Sequence, residues 1–232
     1  MKRSALVLLP LLVALSAAGQ EFLHTYKNEV DEQGRKQGLW QGYDVNGNLK
    51  YKGTFEDGIP VGEFTYYYPD GKTRAKAMHK GDDKTVYIKY FFEGGKLMAE
   101  GKYIDQEKDS TWNYYSSANG KISSKEHYNE GNPVGTWVTY YPETGNIAEE
   151  VPYKNGVKHG TWKQYFTDGS LKSEAEYVDG ELEGLMTIYH LNGNVEVSGS
   201  FKNSLKHGTW IYFEEDGVTT TREEYYEGVL VE

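Results

Sequence analysis

In a chain without cysteine, acid-base or metal chemistry would fall to its 6 histidines and 35 carboxylates. Histidine titrates near neutral pH and is a common zinc ligand, so His24, His79, His127, His159, His190 and His207 are the first residues to weigh. His159 and His207 stand 48 residues apart, each inside the same run, Lys-His-Gly-Thr-Trp, at 158–162 and 206–210. Equivalent places two hairpin units apart in a sheet lie about 20 Å from each other, too far to share an ion. The runs Glu149-Glu150, Glu214-Glu215-Asp216 and Glu223-Glu224 offer carboxylate pairs for proton transfer. Neighbours on a strand point to opposite faces, so these pairs diverge and read instead as solvated charge that discourages edge aggregation. No cysteine nucleophile, phosphate-cradling glycine loop or Gly-x-Ser-x-Gly elbow is present. The expectation is a protein that is not an enzyme, with no catalytic residue, no metal and no cofactor.

The recurring Lys-His-Gly-Thr-Trp run belongs to a longer pattern. A glycine column falls at Gly38, Gly62, Gly135, Gly160, Gly184 and Gly208, with Val86 and Ser110 in its place in two middle units. Two residues later stand Trp40, Phe64, Ile88, Trp112, Trp137, Trp162, Met186 and Trp210, and three further on Tyr43, Tyr67, Phe91, Tyr115, Tyr140, Tyr165, Tyr189 and Phe213. A turn glycine follows in each unit, usually after Asn or Asp, as at Asn46-Gly47 and Asp70-Gly71. Eight residues past it comes another aromatic column, Phe55, Tyr103, Tyr128, Tyr153, Tyr177, Phe201 and Tyr225, broken only by His79. Asn-Gly and Asp-Gly accept the positive φ of tight reversals, so each unit reads as strand, turn, strand, turn. The fold class expected is all-β: an elongated antiparallel meander of eight 24-residue hairpin units, with about 16 strands in a twisted single-layer sheet. Side-chain alternation sends the Trp column and the aromatic three residues later to opposite faces.

The domain boundaries follow from the same reading. Lys2 and Arg3, an apolar run from Ala5 to Leu15 and the small residues Ser16 to Gly19 form the layout of a cleaved export signal over residues 1–19. Residues 20–35 are a polar leader or capping strand, and 36–232 the repeat domain, with units near 36–59, 60–83, 84–107, 108–132, 133–157, 158–181, 182–205 and 206–229. Export without any cysteine fits the periplasm or surroundings of a bacterium, and excludes a lipidated cysteine anchor. Without Lys2 and Arg3 the charge falls from −10 to −12, which repels nucleic acid and anionic lipid.

Columns that hold one residue type in every unit are explained by packing. The informative positions are aromatic only locally, on the Trp face: Tyr66, Tyr68, Tyr90, Phe92 and Tyr114. Tyrosine-rich patches suit protein or glycan recognition, although the same rings could thicken a thin core. The motif Gly-x-Trp-x-x-Tyr, Asn/Asp-Gly and a distal Tyr with Gly, running from Lys36 to Gly228, resembles the bacterial MORN-repeat variant. That resemblance implies the β-hairpin fold and protein-protein contacts; similar proteins are often labelled antitoxins of toxin-antitoxin pairs. Three functions stay open: a protein-binding scaffold, a carbohydrate or cell-wall binder using stacked rings, and an antitoxin or immunity protein. The partner, its face and the oligomeric state are left open.

Overall fold

The computed structural model describes residues 28–82 and 84–231; the export signal assigned to 1–19 lies outside the described residues. The strands are β1 (Glu29–Val30), β2 (Lys36–Tyr43), β3 (Leu49–Glu56), β4 (Ile59–Tyr67), β5 (Thr73–Lys80), β6 (Thr85–Phe91), β7 (Leu97–Ile104), β8 (Glu107–Tyr115), β9 (Ile122–Asn129) and β10 (Asn132–Pro133). They continue as β11 (Gly135–Tyr140), β12 (Ile147–Lys154), β13 (Val157–Lys158), β14 (Gly160–Tyr165), β15 (Leu171–Val178), β16 (Glu181–Tyr189), β17 (Val195–Lys202), β18 (Leu205–Phe213), β19 (Thr219–Tyr226) and β20 (Val229–Leu230). Among the described residues these 20 segments form one open antiparallel sheet in meander order. Segments β10 and β13 are the leading ends of β11 and β14, and β1 and β20 are end pieces, which leaves 16 strands of six to nine residues. The meander and its strand number are those expected from the repeat.

Two turn chemistries alternate. In the first, Gly71 N–H donates to Tyr68 O at 2.9 Å, Tyr68 N–H to Lys72 O at 2.8 Å, and the Asp70 carboxylate accepts Lys72 N–H at 3.0 Å. Only the glycine, at φ 83°, is left-handed there, so the Asp or Asn serves as a side-chain acceptor and not as a second left-handed residue. The second turn, except in the four-residue connection from β5 to β6, has two residues, both left-handed: Asp57 and Gly58 at 50° and 83°, Asp105 and Gln106 at 50° and 70°. This mirror-image turn matches strand twist and needs the positive φ at both places.

Every strand that opens with the glycine column bends there. Gly62 has φ 68°, and the pairing of β3 with β4 jumps from Lys52–Thr65 to Thr54–Val61, so extra residues of β4 arch over Gly53. The same arch lies over Gly101 and Gly199. Unit three lacks it: Val86 replaces the glycine, and β5 pairs with β6 without a shift from Ala75–Tyr90 to His79–Val86. The β-branched Val86 does not take the left-handed conformation, so Ile88 lies flat opposite Ala77. Ser110 holds φ 60° as a non-glycine and keeps its arch.

The arches decide where the core sits. A Cβ at Gly53, Gly101 or Gly199 would lie under 3.0 Å from the ring of Phe64, Trp112 or Trp210, each eleven residues later. Those three rings are 2%, 1% and 3% exposed. Where the equivalent place holds Glu126 or Val151, Trp137 and Trp162 stay half-buried. Rings therefore settle onto a bare backbone, and the core is a row of side chains on one face, with Ala75, Ala77, Ala99 and Ala175 buried beneath it.

Candidate binding site

The ring face is knitted along the sheet. Phe55 meets Trp40 and Phe64 at 6.0 and 5.1 Å between centroids, Phe64 meets His79 at 4.9 Å, and Tyr103 meets Trp112 at 4.8 Å. Indole N–H groups of Trp112, Trp137 and Trp210 donate to strand carbonyls at Lys102, His127 and Ser200, at 3.1, 3.0 and 3.2 Å. Trp162, barred from its backbone seat by Val151, donates to Glu149 at 2.8 Å instead. Over these rings lies a column of lysines two residues before the bend. The Lys108 Nζ is 4.9, 5.2 and 4.8 Å from the rings of Trp112, Tyr114 and Tyr128, and Lys36 and Lys206 sit in equivalent three-ring cages. Cation-π attraction and apolar stems lying on rings account for a repeated lysine on the core side.

The five residues of the aromatic patch lie in this fabric, all half-buried. Tyr66 packs on Tyr51 and Phe64, Tyr90 on Trp112, and Tyr114 on Trp112 with its phenol accepting from Lys108. Tyr68 donates to Phe91 O at 2.7 Å; Phe92 N–H closes the first turn of unit three on Lys96 O. Burial pushes the Tyr66 and Tyr114 phenols up, with the Glu126 carboxylate adding to the effect on Tyr114.

The opposite face carries the other aromatic column. Tyr115, Tyr165 and Tyr189 donate to Glu100, Glu150 and Glu174 at 2.6, 2.7 and 2.9 Å, and Tyr43 donates to Gln41 at 2.7 Å. Burial, then the hydrogen bond to its glutamate, pushes Tyr115 and Tyr165 up to about 12. Lys52 and Lys125 stand 5.9 Å over Tyr67 and Tyr140. Glu149 and Glu150 thus leave the strand on opposite faces, as do Glu223, which accepts from Tyr212 and Tyr225, and Glu224, which accepts from Thr209. His159 pairs with Asp179 and His127 with Thr111, while His79 Nε2 and His207 Nδ1 are buried without partners. Among the described residues no three His, Asp or Glu converge as a metal site.

Hollows border unit three on both faces. On the face opposite the rings, a groove of about 670 Å3 runs between β4 and β8, lined by Glu63, Lys76, Met78, Tyr87, Lys89, Glu100, Lys102, Thr111 and Asn113. A second hollow of about 590 Å3 shares Lys76 and extends to the first-turn end at Phe91, Glu93 and Gly95. On the ring face, about 380 Å3 opens beside Pro60, His79, Lys84, Val86 and Tyr103, where an isoleucine takes the indole position. Burial alone pushes the His79 imidazole down. On the groove floor Met78 and Tyr87 are directly paired and 42% and 48% exposed, and Lys76 is directly paired with Lys89.

Three signals in the sequence, apart from the aromatic columns, mark these features. The small residues Gly53, Ala77, Gly101, Ala175 and Gly199 sit eleven places before the large apolar column. The lysines recur two places before the bend. Charge is also uneven: residues 36–132 hold 14 basic and 14 acidic side chains, whereas 133–232 hold 7 and 17, the entire net −10.

Five segments, residues 36–57, 60–80, 133–155, 158–179 and 182–203, match the family model described as MORN repeat variant. The stretch between 80 and 133, which holds Val86, Ile88 and Ser110, lies between those matches. Among solved structures, a mutant of S. aureus TarM in complex with fondaparinux, alpha-GlcNAc-glycerol and UDP is similar over 53% of this chain and 21% of that one, at 12% identity and a TM-score of 0.32. A TcdB2-TccC3-Cdc42 complex is similar over 87% of this chain and 13% of that one, at 13% identity and a TM-score of 0.25. The chain thus spans a minor part of both.

Proposed function

We propose that this chain of MORN-variant repeats is a non-catalytic, exported scaffold that binds another protein in the bacterial envelope, using the face opposite its ring row. The observation that supports the reading is the contrast between the faces at unit three. On one, the rings are engaged with each other, with bare backbone and with caged lysines. On the other, a methionine and a tyrosine lie side by side in a groove, about half-exposed. Side chains of these types are enriched where proteins meet proteins. Export rests on the charged, apolar and small-residue order of residues 1–19.

The test compares the wild-type chain with Met78→Ser/Tyr87→Ser, using quantitative mass spectrometry of proteins retained from an envelope extract. Both positions are exposed, so an unchanged circular dichroism spectrum and melting temperature are expected, together with loss of one defined partner. Equal retention by both chains would reject this face as the binding surface. The carbohydrate reading predicts instead that peptidoglycan fragments quench tryptophan fluorescence while no protein is retained. The immunity reading predicts that the retained protein is an exported toxin.

A further inference from the structure

We propose that the unit-three groove recognises an extended acidic segment of the partner, with carboxylates on either side of an apolar side chain; the inference rests on the scaffold reading above. The two floor strands, β5 and β6, hold Arg74, Lys76, Lys80 and Lys89 and not one acidic residue, in a chain with 35 acids and 25 bases. Lys76 and Lys89 face each other across the strand pair, an arrangement that like-charge repulsion disfavours and that no packing column of the repeat demands. Their acidic neighbours come from the flanking strands: Glu63 lies 3.4 Å from Lys76, an exposed and weak pair, and Glu100, which also accepts from Tyr115, lies 3.2 Å from Lys89, whose own side chain is exposed and free to turn to another carboxylate. An incoming carboxylate can take either place.

The spacing specifies the ligand further. Lys76, Met78 and Lys80 follow one another on the same face of β5, and Lys80 lies 5.2 Å over the ring of Tyr87, which borders Met78. Same-face residues of a strand are about 7 Å apart, as are alternate side chains of any extended peptide. A peptide laid along β5 therefore matches basic, apolar, basic with acidic, apolar, acidic, the pattern Glu-x-Leu-x-Glu. A polyanion without an apolar group would leave Met78 and Tyr87 uncovered, which is why a protein segment is favoured over an anionic polymer.

The experiment titrates the full chain with an acetylated, amidated peptide Ser-Glu-Ser-Leu-Ser-Glu-Ser by calorimetry, and follows the Met78 methyl by NMR. Binding is expected to weaken at least tenfold when both Glu become Gln, when Leu becomes Ser, or in Lys76→Glu/Lys89→Glu. It should be unchanged in Lys163→Glu, on the same face at β14. Three results would overturn the inference: no binding at millimolar peptide, equally tight binding of tripolyphosphate, or loss of the peptide site because the chain dimerises through these lysines in sedimentation velocity. The last outcome would identify the acidic half of a second copy as the occupant. Retention of the envelope partner by Lys76→Glu/Lys89→Glu would defeat the acidic-segment inference and leave the scaffold standing. Peptide binding by a chain that retains no envelope protein would do the reverse.

Discussion

Replacing Gly101 by alanine puts a methyl group where the indole of Trp112 lies. The new Cβ would be under 3.0 Å from Cγ, Cδ2 and Cε2 of that ring, which is 1% exposed and touches Tyr90, Tyr103 and Tyr114. The ring cannot rotate away without leaving its hydrogen bond to Lys102 O, so it must lift off the sheet. Overpacking of this kind costs about 1–3 kcal/mol, and complete loss of a buried tryptophan about 3–5 kcal/mol, so Gly101→Ala should destabilise by about 2–3 kcal/mol. Unit six shows the relaxed outcome: above Val151 the Trp162 ring is half-buried and bonds a carboxylate instead of the backbone. Urea titration followed by circular dichroism, run as a double-mutant cycle, isolates the contact. In a Trp112→Met background, Gly101→Ala should cost less than about 0.5 kcal/mol, because a flexible thioether can bend aside; unit seven already combines Met186 with Ala175 at the equivalent places. A Gly101→Ala chain within about 0.5 kcal/mol of wild type, or the same cost in both backgrounds, would refute the idea that bare backbone seats the rings.

Ser110→Gly should raise stability by about 0.5–1 kcal/mol, read as a higher urea midpoint, because Ser110 is held at φ 60° where six other units have glycine. Lys108→Met keeps the stem over three rings and removes the charge, and should cost about 1 kcal/mol in the same titration. His79→Phe should fill the broken aromatic column beside Phe64 and flatten the pH dependence of melting. Burial holds the native imidazole below 6.5, so the unfolded chain takes up its proton first as pH falls. Stability from this residue is thus full above about 6.5 and is lost below it. Between pH 7.5 and 5.5, wild type should lose more melting temperature than His79→Phe, and parallel curves would contradict the assignment.

The turn glycines, the 24-residue period and the alternation of Trp and Tyr columns made the meander readable, because each depends on backbone geometry within a few residues. The departure at Val86 and Ile88 was equally visible, and a chain that cannot turn left-handed there has to run straight. Position alone did not say what the straight unit would open on its two faces. Nor did it say that Tyr66, Tyr90 and Tyr114 would pack on Phe64 and Trp112, or that Lys36, Lys108 and Lys206 would lie in ring cages. The depth of each ring turns on the volume left beneath it by a residue on the neighbouring strand. Where that residue is glycine the ring sinks, and where it is valine or glutamate the ring stays out. Local conformation is written residue by residue, whereas burial depends on what the arch of one strand finds on the next, and that is decided only when the strands have paired.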